Sequence, residues 1–250
     1  MIKKLLSKYF FKIFYILKTF KYFFLRKNIN NSHLYIGDLK TISKNLKIDD
    51  KNPIILDVGA HIGNETYLLS KFYPSAKIHC FEPVPKVFEK LNNRFYLNDK
   101  IECHNLFLGH QKITEKLDMH IDDKTDLLGS YFSKTDVTST TNSTIQVSSE
   151  IIDNFLIKKN INHVYLLRVD VNGFEKYVLE GAEKKLNEKK IDFIIACYFN
   201  IIPKINSGSL NELTKYLEEK NYRIVSFYNN FFHKEANGGY YSALFVRNNF

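Results

Sequence analysis

From Pro53 onward the chain alternates apolar runs of strand length with stretches of helical periodicity. Ile54–Val58, Lys77–Phe81 and 101–108 have the length and continuous apolarity of buried strands, with helical patterns over 63–72 and 86–97 between them. After an irregular middle the beat resumes: helix 149–159, strand Val164–Val169, helix 174–186 and strand 193–197. Continuous apolar strands separated by helices predict a parallel sheet covered on both faces. Ser209 followed by Glu212 is a capping box that opens a further helix, to about residue 220. The last two apolar runs, 222–228 and 241–246, are joined by a loop containing Gly238 and Gly239 that is too short for a crossover helix. That final pair is therefore expected to be antiparallel. At 250 residues, 44% of them hydrophobic, the chain suits one sizeable α/β core plus an appendage. The expected division is a basic extension over 1–27, a helical lead-in over 28–52 and the main domain over 53–250.

The formal charge of +9 is concentrated at the front. The first 27 residues hold eight cations (Lys3, Lys4, Lys8, Lys12, Lys18, Lys21, Arg26 and Lys27) and no acid, so +9 less 8 leaves the rest at +1. A near-neutral body argues against a basic groove for nucleic acid. The front segment lacks the ~20 consecutive apolar residues of a membrane span and the cleavage site of a signal peptide. Wound as a helix, it places Leu5, Leu6, Tyr9, Phe10, Ile13, Ile16, Leu17, Phe20, Phe23 and Phe24 on one side and Lys3, Lys4, Lys8, Lys12, Lys18, Lys21 and Arg26 on the other. Such a helix fits the interface of an anionic membrane, and it equally fits an apolar face of the body or of a second subunit. The expected location is cytoplasmic, peripheral on the inner face of a membrane if the helix binds lipid.

Cys80, Cys103 and Cys197 are odd in number and far apart, suggesting neither a disulfide framework nor a thiolate zinc site, and a reducing compartment follows. Asn142-Ser143-Thr144 would matter as a sequon only in a secreted protein. No His/Asp/Glu triplet clusters along the chain, so no metal is expected. The polar stretch 122–146, rich in Ser and Thr, is expected to be a loop of the kind that forms lids or binding loops, or else a plain surface loop.

The chemistry concentrates in "IILDVGAHIGNETYLLS", a buried strand followed by a glycine-rich turn that enters a helix. Such a turn aims backbone N–H groups and the positive helix end at a ligand. A dinucleotide turn needs Gly-x-Gly-x-x-Gly, but His61 and Asn64 occupy the second and third glycine places, which denies a pyrophosphate its close backbone approach. The pattern suits a nucleoside without phosphate. Histidine is among the residues enriched at positive φ, so His61 fits a tight turn, and Gly63 permits close passage where the helix begins. Glu82 ends the next strand, about 20 residues on, where an acid takes ribose hydroxyls. Asp57, near the end of the first strand, can tie down turn amides or reach a cationic amino group.

Three blocks, "LDVGAHIGNET", "CFEPVPKVFEKLNNRF" and "LLRVDVNGFEKYVLEGAEKKL", together resemble the FkbM-type S-adenosylmethionine-dependent methyltransferases, whose pattern is roughly D-V-G-A-N-x-G, F-E-P and K-I-D-V-E-G-x-E-x-x-V-L-x-G-A. The resemblance spans about residues 53–197 and its third block is the most diagnostic. It implies an α/β fold: the Rossmann-like, seven-stranded class I methyltransferase sheet, mostly parallel with its last strand antiparallel. It also implies S-adenosyl-L-methionine as cofactor, and often O-methylation of a sugar or other small hydroxylated acceptor such as a glycan precursor. Asp57, Gly59 and Gly63, with His61 in the turn, would line the methionine half of the cofactor, and Glu82 its ribose. Residues 106–111 and 127–132 resemble the family's segments around the adenine and the pocket mouth.

Two departures stand out. Asn172 replaces the family's glutamate, and can N-cap the next helix with Glu175 closing a capping box. The fifth strand ends "IIACYFN" rather than at an acid.

Asp170, at the carboxyl end of the fourth parallel strand, is the candidate for orienting or deprotonating the acceptor; its alternative role is to cap the turn at Gly173. His104, His110 and His233 are looser candidates. An NAD-dependent oxidoreductase of the short-chain type would need Tyr-x-x-x-Lys beside the nucleotide. Tyr73/Lys77, Tyr96/Lys100 and Tyr216/Lys220 meet that spacing, but none follows the fourth strand. A nucleic-acid methyltransferase would present a proline-aromatic turn where this chain has "DVNGFE". A membrane-associated scaffold that binds the cofactor without turnover is the non-enzymatic alternative left open by Asn172.

Overall fold

The structure, a computed structural model, describes residues 34–48, 51–111, 117–122, 142–171, 173–200, 210–233 and 238–248. The expected front helix, residues 127–132, Asn172 and Ser209 lie outside them. Helix α1 (Leu34–Leu46) precedes the alternating unit β1 (Ile54–Val58), α2 (Asn64–Phe72), β2 (Lys77–Phe81), α3 (Pro85–Phe95) and β3 (Ile101–His104). Short β4 (Phe107–Leu108), β5 (Leu117–Asp122), β6 (Asn142–Val147) and β7 (Ser149–Glu150) follow, then α4 (Ile152–Lys158), β8 (Val164–Val169), α5 (Glu175–Glu180) and α6 (Glu183–Asn187). The chain closes with β9 (Ile191–Asn200), α7 (Leu210–Glu219), β10 (Tyr222–His233) and β11 (Gly238–Arg247).

Seven strands form one sheet in the order β10-β11-β9-β8-β1-β2-β3. All neighbours are parallel except β11, which runs antiparallel to both β9 and β10. This is the mostly parallel sheet with an antiparallel last strand that the apolar pattern predicts.

Alternation along the strands divides the core in two. On one face, Ile55, Ile78 and Leu166 pack with Leu39 of α1, Leu69 of α2 and Leu91 of α3. On the other, Leu56, Val58 and Leu167 pack with Leu156 of α4, Val178 of α5, Leu186 of α6 and Leu213 of α7. β1 and β8 are covered on both faces, which is why they read as continuous apolar runs.

Several boundaries differ from expectation, each for a local reason. The run 101–108 breaks after His104 because Asn105 turns its side-chain amide onto the carbonyls of Glu82 and Pro83, at 2.9 Å each. The segment expected as helix from 149 opens instead as β7, parallel to β4, before α4 starts at Ile152. The helix expected over 174–186 is two short helices. They part at Gly181, whose carbonyl accepts the Asp153 N–H at 2.9 Å, and where an added Cβ would meet the Gly109 carbonyl oxygen at 2.0 Å. β9 is longer than the expected 193–197, because antiparallel pairing with β11 carries it to Asn200. In the polar stretch expected to be a loop, 142–146 pairs antiparallel with β5. Among the described residues no helix is long and apolar enough to cross a membrane.

Candidate active site

The candidate site lies at the carboxyl ends of the neighbouring strands β8, β1 and β2, where parallel sheets present their loops to ligands. β1 hydrogen-bonds to β2 on one side and β8 on the other. The turn after it is left-handed three times, at Gly59 (φ +81°), His61 (φ +52°) and Gly63 (φ +80°). The two glycines are required by close approach. A Cβ on Gly59 would sit 1.9 Å from the Asp170 carbonyl oxygen, and one on Gly63 would lie 2.4 Å from the Phe95 ring. His61 adopts the left-handed conformation as its residue type permits.

The turn is anchored by β2. The N–H groups of Gly59 and Ala60 both donate to the Phe81 carbonyl, at 3.0 and 2.9 Å. The His61 N–H donates to Glu82 Oε2 at 3.1 Å, and the Val84 N–H donates to Glu82 Oε1 at 2.8 Å. Each oxygen of the Glu82 carboxylate thus takes one backbone donor and, having about two lone-pair sites, keeps capacity for another. Burial pushes the Glu82 carboxyl up to about 7, while the Val84 and His61 amides hold it down against that trend. The fixed carboxylate is a ready acceptor for a diol. Beside it, His61 Nε2 is buried without a protein partner, and burial lowers the ring's pKa, keeping it neutral. A neutral imidazole nitrogen left over at the turn is a hydrogen-bonding group suited to a polar ligand.

Asp57 is fully buried, and its contacts differ from those expected. The turn amides go to Phe81 and Glu82, while Asp57 Oδ2 accepts the Thr66 hydroxyl at 2.6 Å and Oδ1 accepts Arg168 Nη1 at 2.8 Å. The other arm of the guanidinium, Nη2, donates to Asp170 Oδ2 at 2.5 Å. Tyr240 of β11 adds a side-chain hydrogen bond to Asp170, and Cys197 Sγ lies 3.3 Å from Ser242 Oγ alongside. Thr66, Asp57, Arg168, Asp170 and Tyr240 make one connected chain across β1, β8, β11 and α2. Burial raises the Asp57 carboxyl, opposed by Arg168 and Thr66, and the two flanking carboxylates hold the Arg168 guanidinium charged despite its burial.

Asp170 keeps partial exposure, and Arg168 fixes its orientation. The loop behind it is clamped by Glu175, whose carboxylate accepts the N–H groups of Val171 (3.0 Å) and Gly173 (3.0 Å). The capping box expected with Asn172 does not describe this arrangement: α5 begins at Glu175 itself, with Phe174 as the cap residue. Burial lifts the Glu175 carboxyl to about 7.

The structure therefore gathers Gly59, His61, Gly63 and Glu82 around one crossover, and joins Asp57 to Asp170 through Arg168. His110 packs against Tyr177, with ring centroids 4.9 Å apart. His104 stacks on Phe81 at 4.8 Å. The side chain of His233 lies outside the described residues. Arg168 and Tyr240 are additions to the expected set. Arg168 leaves a visible trace as the charged residue within the apolar run "VYLLRV"; Tyr240 leaves none, because only the final antiparallel pairing brings it to the site.

Among proteins of known sequence, the chain is 28% identical over 144 residues to Methyltransferase 1 of Beauveria bassiana, covering 52% of this chain and 58% of that protein. It is 21% identical over 154 residues to the 2-O-methyltransferase NoeI of Sinorhizobium fredii, covering 57% of this chain and 63% of that one. The chain thus spans less than two thirds of the length of these relatives. A solved rRNA methylase from Streptococcus thermophilus is similar at 12% identity with a TM-score of 0.49, over 88% of this chain and 98% of that one. The Methyltransferase FkbM domain family matches residues 57–224, more than half of the chain, and the protein belongs to that family.

Proposed function

We propose that the chain binds S-adenosylmethionine over the β1–α2 crossover and transfers its methyl group to a hydroxyl of a sugar or other small hydroxylated acceptor. The observation that carries this reading is the Glu82 carboxylate, held at the end of β2 by the His61 and Val84 amides with lone pairs to spare for a ribose diol. When bound, the cofactor supplies an electrophilic methyl group on a sulfonium. Glu82 grips the ribose, the Gly59–Gly63 turn shapes the seat of the methionine portion, and His61 Nε2 offers one further polar contact. Asp57 serves through its partners, positioning Arg168.

Asp170 is the acceptor-side residue. Held by Arg168 and Tyr240, its carboxylate would orient an acceptor hydroxyl and take up the proton that the hydroxyl gives up when the methyl group passes from the cofactor's sulfur to the oxygen. Orientation alone supplies several kcal/mol in such a displacement. The sugar-like acceptor is supported by family membership and by the name of the distant NoeI relative, a 2-O-methyltransferase. Calorimetric titration with S-adenosylmethionine, compared with NAD, tests the reading.

The basic amphipathic segment 1–27 is proposed to hold the enzyme on an anionic membrane, with seven cations opposite an aromatic face as its support. The full chain should sediment with anionic vesicles and lose most of that binding when residues 1–27 are removed. Equal sedimentation of the shortened chain would count against the proposal.

A further inference from the structure

On the face of the sheet covered by α4, the pairing of β2 with β3 assembles a polar cluster that the linear sequence conceals. His79 stands opposite Glu102, and Phe81 opposite His104, in the parallel register. The period of two along a strand then puts His79, Glu102 and His104 on one side. His79 Nδ1 lies 3.2 Å from His104 Nε2 and 3.4 Å from Glu102 Oε2, and His104 Nε2 lies 3.8 Å from Glu102 Oε1.

We propose that His79, Glu102 and His104 form a binding site for a divalent transition-metal ion of the zinc class. A tetrahedral ion with bonds of about 2.1 Å requires ligand atoms about 3.4 Å apart; His79 Nδ1 meets that spacing with both His104 Nε2 (3.2 Å) and Glu102 Oε2 (3.4 Å), and one atom from each residue lies within 4.8 Å of the others. Two imidazoles and one carboxylate are a zinc-type donor set, poorer for magnesium or calcium, which prefer oxygen ligands. Burial pushes both histidines down to about 4, so both rings offer lone pairs at neutral pH. The rings are held by packing: His79 and His104 stack with centroids 5.4 Å apart, and both meet Phe155 edge to face. Glu102 is at the exposed rim, giving an ion a way in. There its carboxylate now pairs with Lys159 and lies 4.0 Å from Lys77. An ion must displace the Lys159 ammonium, which its flexible stem allows. Three protein ligands leave a fourth position for water. The site also adjoins the cofactor side of the fold, since the His104 carbonyl accepts the Glu82 N–H at 3.0 Å.

The test uses the full chain stripped with a chelator and then titrated with zinc chloride against a chromophoric chelator, with thermal unfolding followed in parallel. One equivalent should bind with a rise in Tm. Glu102→Gln, at the rim where folding is least disturbed, and His104→Phe, which keeps the aromatic packing, should each weaken zinc at least tenfold. Lys159→Ala should tighten it. The proposal is overturned if the wild-type chain shows no saturable binding, or if both ligand variants bind as well as wild type. It is also overturned if zinc is lost in Cys80→Ser, because the Cys80 and Cys103 thiols lie 3.3 Å apart on the opposite face and are the competing ligands.

Discussion

Glu82→Ala is expected to weaken binding of S-adenosylmethionine by about 30- to 1000-fold, corresponding to about 2–4 kcal/mol for the hydrogen bonds a charged carboxylate receives from a diol. The same change releases the His61 and Val84 amides from their acceptor. The turn is then looser as well as blunter. Glu82→Gln retains the volume and one acceptor oxygen, so a smaller loss of about tenfold is expected.

The pH dependence separates charge from shape. In the free protein Glu82 titrates at about 7, raised by burial. Diol donors would favour the ionised form, so the bound carboxylate should have a lower pKa and cofactor binding should expel a proton below neutrality. Affinity should therefore rise between pH 6 and pH 8 and flatten above. In Glu82→Gln that component of the rise should be missing, and a wild-type-like slope in the variant would assign the titration to another group.

Arg168→Met is expected to destabilise the fold by about 3–5 kcal/mol, measured by urea unfolding, because it strands the fully buried Asp57 carboxylate without its cation. The sign with pH follows from the raised Asp57 pKa. With the guanidinium gone that pKa rises further, so the folded variant binds a proton more readily than the unfolded chain. Its stability is greatest at low pH and falls as pH climbs from the ordinary carboxylate range toward the raised folded value. The deficit relative to wild type should thus narrow in acid. Adding Asp57→Asn removes the stranded charge, and the double variant should lose less than the sum of the two single losses. Strict additivity would mean that Asp57 and Arg168 do not act as a pair.

The crossover was legible because its demands are local. A buried strand ending "LDVG", a helix entered through Gly63 and an acid at the end of the next strand are each set by neighbours close in sequence, and Gly59, His61 and Glu82 meet as that spacing suggests. What escaped depends on strand pairing over long separations. Arg168 joins Asp57 across 111 positions, and Tyr240 reaches Asp170 only because β11 inserts between β9 and β10. His79, Glu102 and His104 look scattered until the β2–β3 register aligns them. The direction of a buried acid was equally hidden: Asp57 sits at a strand end that suits turn amides, yet Arg168 and Thr66 take both its oxygens. Helix 174–186 reads as continuous because nothing local shows the Gly109 carbonyl that crowds Gly181.

The β1–α2 crossover is proposed to seat an adenosyl ligand without phosphate. Calorimetric titration of the full chain with S-adenosylmethionine and, separately, with NAD measures that claim directly. Saturable binding of S-adenosylmethionine at one site and no binding of NAD are expected. Binding of NAD, or a folded protein that takes up no S-adenosylmethionine, would contradict the proposal.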